Sequence, residues 1–113
     1  MSSLQKILDI KYVKMENEHI ADILEIERDS YGYPWSEKIF LDCITHSYHC
    51  KVLLLDEILV GYVITSLVQN ECHIMNLCIK KNYRSHGYGK YLLNELHNEI
   101  INLNCKLVFL ECR

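Results

Sequence analysis

A mostly apolar segment leads directly into a polar loop with two glycines and then into a long amphipathic helix, and this order most constrains the fold. Residues 72–79 have the composition of a strand that is covered on both faces. Residues 84–90, RSHGYGK, form the loop. The helix follows at once, with apolar residues three and four positions apart: Tyr88, Leu92, Leu93, Leu96, Ile100 and Leu103. The sequence therefore predicts a buried strand that meets the start of a helix at a glycine loop.

This loop has the properties of an anion-binding site. Gly87 and Gly89 allow the backbone to approach a ligand closely, and the first N–H groups of a helix have no partners within it. The positive end of the helix dipole and the side chains of Arg84 and Lys90 add to the attraction. We therefore expect a phosphate group to bind here.

Two well-known phosphate motifs do not fit the loop. A Walker P-loop has Gly at position 84 and Ser or Thr after the lysine, whereas this chain has Arg84 and Tyr91. A dinucleotide fingerprint has a third small residue where Leu92 stands. The remaining pattern, Arg-x-x-Gly-x-Gly, is also compatible with a plain turn between a strand and a helix. The loop alone therefore does not distinguish a phosphate-binding site from a connecting turn, and other segments of the sequence are needed.

Length and charge limit the class of protein. With 113 residues, 50% of them hydrophobic, we expect a single globular domain spanning residues 1–113. The net charge of -3 argues against a general nucleic-acid binder and favours a basic peptide or an amine as partner. The N-terminal apolar run is too interrupted for a signal peptide, and no segment is suited to cross a membrane. We therefore expect a soluble, cytoplasmic protein.

The six cysteines, at positions 43, 50, 72, 78, 105 and 112, include no C-x-x-C pair. Most occupy apolar positions of predicted elements, which indicates reduced core residues and not a disulfide framework. His46, His49 and Cys50 form the one cluster that suggests a metal, but no second ligand pair has the usual spacing. We therefore expect no metal.

The predicted elements, in order, are a strand at 10–15, a helix starting after Asn17, a second helix at 37–46, strands at 51–55, 59–68 and 72–79, the long helix, and a strand at 106–112. Asn17 and Ser36 are expected to be the N-caps of the first two helices. The turns between the three central strands are predicted at Asp56-Glu57 and at residues 69–71, and Gly61 predicts a bulge or a close backbone approach.

Two features allow two interpretations each. Glu27 shares a helical stripe with Ile20, Ile23 and Leu24, where it is either a carboxylate at the edge of the buried face or a substrate-binding residue. The aromatic residues of the loop between the first two helices either plug the core or form one wall of a substrate groove.

Three segments resemble one family and occur in that family's order. Residues 26–28 and 33–40, the latter YPWSEKIF, resemble the helix-loop-helix of bacterial ribosomal-protein-alanine N-acetyltransferases, members of the GNAT superfamily. Residues 76–79 and 83–90 resemble the cofactor strand and loop of these enzymes, and residues 110–113, LECR, resemble the strand with their catalytic glutamate. The resemblance extends from about residue 10 to the last residue.

The resemblance implies an α/β (α+β) fold, the acyl-CoA N-acyltransferase fold, with a mixed, mostly antiparallel sheet flanked by helices. It also implies transfer of an acetyl group from acetyl-CoA to a protein N-terminus, specifically the N-terminal alanine of a small-subunit ribosomal protein. Two alternatives stay open: a fragment that binds coenzyme A without turnover, and an acetyltransferase with a different amine acceptor.

The resemblance also implies roles for particular residues. Glu111 is the expected general base, and the backbone of Leu77, Cys78 and Ile79 is expected to bind the acetyl and pantetheine portion and to stabilise the oxyanion. The residues expected at the pyrophosphate are Arg84, Ser85, His86, Gly87, Tyr88, Gly89 and Lys90. The residues expected at the acceptor are Tyr31, Tyr33 and Trp35. His86 stands where the family often has Gln or Arg, and it can still donate to phosphate.

The family continues beyond this pattern with an Asn, a helix with a Tyr that protonates the thiolate, and two strands. Because the sequence ends at Arg113, the resemblance implies a C-terminally truncated domain that lacks the last helix and two strands. The general acid is then unassigned. An apolar last strand at a sheet edge would favour self-association, including pairing with a copy that supplies the missing strands.

Overall fold

The computed structural model describes residues 9–46 and 48–109. Its elements, in chain order, are β1 (Ile10–Lys14), a 3-10 turn (Asn17–His19), α1 (Ile20–Ser30), α2 (Glu37–Thr45), β2 (His49–Leu55), β3 (Ile58–Val68), β4 (Glu71–Ile79), a 3-10 turn (Lys81–Tyr83), α3 (Tyr88–Asn102) and β5 (Lys106–Phe109). The predicted order of strands and helices is therefore confirmed. The predicted last strand extends to residue 112, and its part after Phe109 lies outside the described residues.

The strands form one sheet in the order β1-β2-β3-β4-β5. The first four strands are antiparallel neighbours, whereas β5 runs parallel to β4. Because successive strand residues point to opposite faces, Val52 and Tyr62 pack with α1 and α2, while Leu53 and Val63 pack with α3. The predicted mixed, mostly antiparallel sheet flanked by helices is thus confirmed.

Two tight turns connect the three central strands. Asp56 and Glu57 have φ values of 50° and 68°, and Gln69 and Asn70 have values of 47° and 67°. Two consecutive residues with positive φ are typical of the hairpin turn whose twist matches that of the strands. The first turn lies where it was predicted. The second is one residue shorter than predicted, because Glu71 already belongs to β4.

Two details of the helices differ from the prediction. Asn17 is not an N-cap: it begins the 3-10 turn, and Glu16 occupies the cap, where its N–H donates to His19 Nδ1 at 2.9 Å. Leu103 follows the end of α3 and is half-exposed, because the chain turns there towards β5. Ser36 does cap α2, since its Oγ accepts from the N–H of Ile39 at 3.3 Å.

The described cysteines are free thiols, and those buried in the core are Cys43, Cys50, Cys72 and Cys78. Burial raises the pKa of Cys50 to about 12, and it also raises the pKa values of Cys43 and Cys72. The thiols of Cys43, Cys50 and Cys72 are therefore protonated near neutral pH. No helix in the described part of the chain is long and apolar enough to cross a membrane.

Candidate active site

The open half of β4 is the first component of the site. Ile64 pairs with Asn76 and Thr65 pairs with Ile74, so Met75 is an extra residue that forms a bulge in β4. On its other edge, β4 pairs with β5 through residues 71–74 only, within the part of β5 that the structure describes. Residues 75–79 thus have a described strand on one side alone.

After the bulge, the peptide groups of β4 that face away from β3 are those of Leu77 and Ile79. The carbonyl of Leu77 accepts from Tyr31 Oη at 2.9 Å, and that of Ile79 accepts from Arg84 Nε at 2.8 Å. In a strand the N–H and C=O of one residue face the same edge, so both N–H groups also face away from β3. Cys78 lies between them in sequence, and its backbone N–H and C=O face β3, where it is paired with Tyr62. Unlike the amides of Leu77 and Ile79, the amide of Cys78 therefore does not face the site, which corrects the expectation that its backbone binds the acetyl and pantetheine portion. Cys78 faces the site through its side chain.

A cavity of about 350 Å³ lies beside this edge. Its lining residues are Ser30, Tyr31, Leu77, Cys78, Ile79 and Arg84. α1 ends at Ser30, and Tyr31 leaves the helix with extended backbone (φ -128°, ψ 141°), which brings its hydroxyl to the Leu77 carbonyl. The end of α1 and the end of β4 therefore form opposite walls of one pocket.

The other two predicted acceptor residues lie elsewhere. Trp35 is half-buried against the core, with its ring centroid 5.3 Å from that of Phe40. Tyr33 is 95% exposed and does not line the cavity. Of the two interpretations of the aromatic loop, core packing therefore describes Trp35, whereas Tyr31 both packs on the core and lines the cavity.

Glu27 lies in the core and not at its edge, which corrects the structural interpretation given above. Its exposure is 0%, and its Oε1 accepts from Tyr62 Oη at 2.5 Å and from Asn76 Nδ2 at 2.9 Å. Its Oε2 accepts from the N–H of Trp35 at 2.8 Å. Burial and then this hydrogen bond raise the pKa of Tyr62, so its hydroxyl remains a donor. Glu27 thereby links α1 to the aromatic loop and to β4 directly after its bulge.

The glycine loop provides the second component of the site. Gly87 is the N-cap of α3 with φ 85°, and Ser85 also has a positive φ of 65°. The first hydrogen bond of the helix runs from the N–H of Tyr91 to the carbonyl of Gly87 at 3.0 Å. The amides of Tyr88, Gly89 and Lys90 precede it, in the helix turn where N–H groups lack intrahelical acceptors.

The surroundings of the two loop glycines fit a bound phosphate. Among the described residues, a Cβ added to Gly87 would meet no atom within 4 Å, and one added to Gly89 would meet only Ile79 Cγ1, at an ordinary 3.7 Å. Packing within the chain therefore does not require glycine at either position, although the positive φ of Gly87 favours it. An external group approaching the backbone is a sufficient reason for both.

The polar side chains of the loop differ in their surroundings. His86 Nδ1 donates to the carbonyl of Arg84 at 2.7 Å, and its ring stacks on Tyr88. The guanidinium of Arg84 does not extend along the loop: it contacts Ile79, Ser30 and Cys78. Lys90 and Ser85 are exposed. Ser30 and Asn76 are the site residues that sequence reasoning missed; only Asn76 gave a signal, as an amide within an apolar strand.

Glu111, the expected general base, lies outside the described residues, so its position relative to the cavity stays a prediction. The described part of β5 ends two residues before it, at Phe109, which is paired with Ile74 of β4. His46 and His49, from the cluster considered for a metal, have different partners. His46 donates to the carbonyl of Asp42, whereas His49 lies 2.8 Å from Glu99.

A larger cleft of about 550 Å³ lies between α1, the β2–β3 turn and the 3-10 turn after β4. Its charged lining residues are Asp22, Glu25, Asp29, Glu57, Lys80 and Lys81. None of the residues expected to bind cofactor or acceptor lines it. The smaller cavity is the better candidate for the active site, because the outward-facing amides of β4 and the first residue of the glycine loop meet there.

Comparisons with known proteins agree with this geometry. The model of the acetyltransferase (GNAT) family matches residues 20–113. An uncharacterized N-acetyltransferase of Methanocaldococcus jannaschii is 31% identical over 102 residues, 88% of this chain and 65% of that protein. The [ribosomal protein bS18]-alanine N-acetyltransferase of Salmonella typhimurium is 28% identical over 89 residues, 79% of this chain and 60% of that protein. The chain thus spans 60–65% of the length of these two relatives.

Solved structures show the same fold. The ribosomal-protein-S18-alanine N-acetyltransferase of Escherichia coli superimposes with a TM-score of 0.78 at 24% identity, over 84% of this chain and 61% of that one. The PaiA N-acetyltransferase of Thermoplasma acidophilum, solved with coenzyme A, gives 0.77 at 20% identity, over 88% and 78%. From its sequence match and its fold, the chain belongs to the GNAT acetyltransferase family.

Proposed function

We propose that this chain is the cofactor-binding and acceptor-binding part of an acetyl-CoA-dependent N-acetyltransferase. The observation that supports this most directly is the pair of outward-facing N–H groups at Leu77 and Ile79, next to both a cavity and the glycine loop. The family match supports the reaction class. The free thiols of the described cysteines are consistent with a reducing cytoplasmic location.

The binding roles follow from the geometry of the backbone. The first amides of α3 and the preceding residues 85–87 would hold the pyrophosphate, while the N–H groups of Leu77 and Ile79 would donate to the pantetheine and to the acetyl carbonyl. Acetyl-CoA would supply an acetyl group activated as a thioester. Donors fixed at a strand edge need no reorganisation when negative charge develops on that carbonyl oxygen.

The acceptor amine must be neutral before it can attack. A peptide α-amine has a pKa near about 8, so a carboxylate acting directly or through water removes its proton at modest cost. We propose Glu111 as this base, because the LECR segment continues directly from β5, the neighbour of β4. Tyr31 would form the acceptor side of the cavity, opposite the strand amides.

For the acceptor we propose the N-terminal alanine of a small-subunit ribosomal protein. This proposal is supported by relatives named as acting on ribosomal protein bS18, two of which are 28% and 26% identical to this chain. The net charge of -3 is also suited to a basic protein partner. Another protein N-terminus, a lysine side chain or a small amine is the alternative acceptor, and a coenzyme A-binding fragment without turnover is the alternative function.

Two measurements on one preparation test the proposal. Titration calorimetry with acetyl-CoA measures binding, and a thiol-release assay with an Ala-starting peptide measures turnover. The same peptide with its N-terminus blocked and a lysine added tests the lysine alternative, and a polyamine tests the small-amine alternative. We expect binding together with release that depends on the free α-amine. Binding without release would support the non-catalytic fragment, and absence of both would refute any acetyl-CoA function.

The substitution Glu111→Gln tests the proposed base. Because an amide cannot take up the proton, we expect a fall in kcat of about 100-fold or more, with the affinity for acetyl-CoA nearly unchanged. The loss should diminish as the pH is raised through the pKa of the acceptor amine, since more of the amine is then already neutral. An unchanged kcat in an active preparation would show that another group is the base.

A further inference from the structure

Arg84 belongs to the phosphate motif by sequence, yet within the described part of the chain its side-chain hydrogen-bond partners lie in α1 and β4. Its Nε donates to the carbonyl of Ile79 at 2.8 Å, and its Nη2 donates to Ser30 Oγ at 2.7 Å. The same Nη2 lies 3.8 Å from the sulfur of Cys78, which is 3.2 Å from Ser30 Oγ. The side chain of Arg84, although exposed, therefore bridges the ends of α1 and β4.

These contacts connect the two walls of the cavity. Ser30 is the last residue of α1 and Ile79 the last of β4, and both line the cavity together with Arg84. One residue further along the chain, Tyr31 makes a parallel connection to the carbonyl of Leu77. The connections through Arg84 and Tyr31 therefore lie side by side between α1 and β4, and that of Arg84 contains a charge.

The hydrogen bond to Ile79 also acts on the strand itself. Residues 75–79 have a described neighbouring strand on one edge only. The carbonyls of Leu77 and Ile79 therefore need hydrogen-bond donors from outside the described sheet. Arg84 supplies the donor at Ile79 and so holds this residue in the orientation in which its N–H faces the cavity. A charged donor is suited to this role because its hydrogen bonds are roughly twice as strong as those of neutral donors.

We propose that Arg84 is a positioning residue that fixes the end of α1, and with it Tyr31, against the open edge of β4, and that it does not bind the pyrophosphate through its side chain. This inference rests on the proposed acetyltransferase function. The phosphate is held by the backbone amides of the loop and of the first turn of α3. Arg84 instead fixes the distance between Tyr31 and the strand amides on the acceptor side of the cavity.

The two roles predict different responses to a shorter ligand. Pantetheine lacks the pyrophosphate of coenzyme A, so a side chain that binds the pyrophosphate contributes to the affinity for coenzyme A alone. With Arg84→Gln, we expect the ratio of the two calorimetric affinities to change less than twofold. A loss confined to coenzyme A, of about tenfold as expected for one charged hydrogen bond, would overturn the proposal. Lys81→Gln, which removes an exposed cation from the neighbouring 3-10 turn, is the control for net charge.

Arg84→Lys separates charge from geometry. Lysine keeps the charge that attracts phosphate, but its single ammonium cannot reproduce the planar arrangement that joins Ile79 to Ser30. We expect KM for the Ala-starting peptide to rise about tenfold in both Arg84→Lys and Arg84→Gln, with KM for acetyl-CoA within twofold of the wild type. Restoration of the peptide KM by lysine, or a rise in KM for acetyl-CoA alone, would contradict the positioning role.

A double-mutant cycle on stability tests the connection independently of activity. Ser30→Ala, Arg84→Gln and the double variant are unfolded with urea, and Arg84→Gln with Lys38→Ala serves as the uncoupled control pair. We expect coupling between Ser30 and Arg84 and none in the control. Additivity of Ser30→Ala and Arg84→Gln would overturn the connection. If the cycle shows coupling but the wild-type protein neither binds coenzyme A nor releases thiol, the connection stands and the proposed function is refuted. The proposed effect of Arg84 on binding of the acceptor peptide then falls with it.

Discussion

Glu27 illustrates what a single position contributes to the site. The helical spacing places it correctly on the buried stripe, but its partners Tyr62 and Asn76 are 35 and 49 residues away in the chain. Local periodicity therefore cannot give its depth, which is decided by the donors that surround it. Its three hydrogen bonds fix the aromatic loop and the strand after the bulge in one arrangement.

Removing this carboxylate should destabilise the fold strongly. Glu27→Ala leaves three donors without this acceptor, two of them on buried side chains, so we expect a loss of about 3 kcal/mol or more in the free energy of unfolding. Glu25→Ala, at an exposed position of the same helix, should change it by less than about 0.5 kcal/mol. Urea unfolding of the two variants measures the difference, and equal effects would show that the buried network contributes little.

At the scale of elements, the glycine in β3 has a cause that only the neighbouring strand reveals. A Cβ on Gly61 would lie 2.6 Å from Ile79 Cδ1 and 3.0 Å from the carbonyl oxygen of Cys78. Both predicted alternatives are present, because the pairing of β2 with β3 also shifts at this point, between Leu53 and Leu54. The sequence indicated that a side chain was excluded there, but not that the end of β4 excludes it.

Gly61→Ala should therefore disturb the packing of β3 against β4. The backbone oxygen cannot move away freely, so we expect a destabilisation of about 1–3 kcal/mol, measured as a shift of the urea midpoint. Gly32→Ala is the matched control, since its Cβ would meet nothing within 4 Å. That variant should be neutral or more stable by up to about 1 kcal/mol. A tolerated Gly61→Ala would indicate that β4 and β3 lie farther apart than described.

The start of α3 can be tested with the same logic. Gly87→Glu introduces a carboxylate where we propose that the pyrophosphate binds, so we expect the calorimetric affinity for coenzyme A to fall by about 100-fold or more. Gly87→Ala adds only backbone strain at φ 85° and should retain measurable binding. Gly32→Glu adds the same charge outside the site and should leave the affinity unchanged. Retained affinity in Gly87→Glu would exclude this helix start as the phosphate site.

At the scale of the molecule, Glu99 connects α3 to β1 and β2, the two strands farthest from β5 in the sheet. It accepts from Tyr12 of β1 at 2.7 Å, and it lies 2.8 Å from His49 and 3.2 Å from Lys51, both in β2. Burial acts to raise the pKa of Glu99, but contacts with Tyr12, His49 and Lys51 outweigh it and lower the pKa. The ionised carboxylate thus favours the folded state.

The lowered pKa of Glu99 predicts how the stability of the fold depends on pH. Because the folded-state pKa of Glu99 is lowered, its contribution is complete above the ordinary value of 4.5 and is lost as the pH falls through the folded-state pKa. We expect thermal unfolding of the wild type between pH 5 and pH 3 to show a steeper loss of Tm than that of Glu99→Gln. Glu25→Gln, at an exposed position, should follow the wild type. Parallel curves for the wild type and Glu99→Gln would show that this carboxylate is not linked to folding.

The fold as a whole was more predictable than the site. The element order, the hairpin turns and the amphipathic α3 depend on residues close in sequence, and these predictions are confirmed. The direction of the Arg84 side chain depends on where α1 ends, more than fifty residues earlier, so the motif alone suggested only a phosphate contact. Long-range contacts of this kind decide what a motif residue does.

The additional residue at Met75 reverses the parity of β4. Before it, Cys72 and Ile74 point towards α3; after it, the even-numbered Asn76 and Cys78 point towards α1, where Asn76 meets Glu27. If Met75 instead took a regular place in the pairing with β3, the amide of Asn76 would enter the aliphatic layer beneath α3, and Leu77 and Ile79 would change sides. The bulge at Met75 therefore lets both halves of β4 keep their pairing with β3 while each half presents its own residues to the two helical layers.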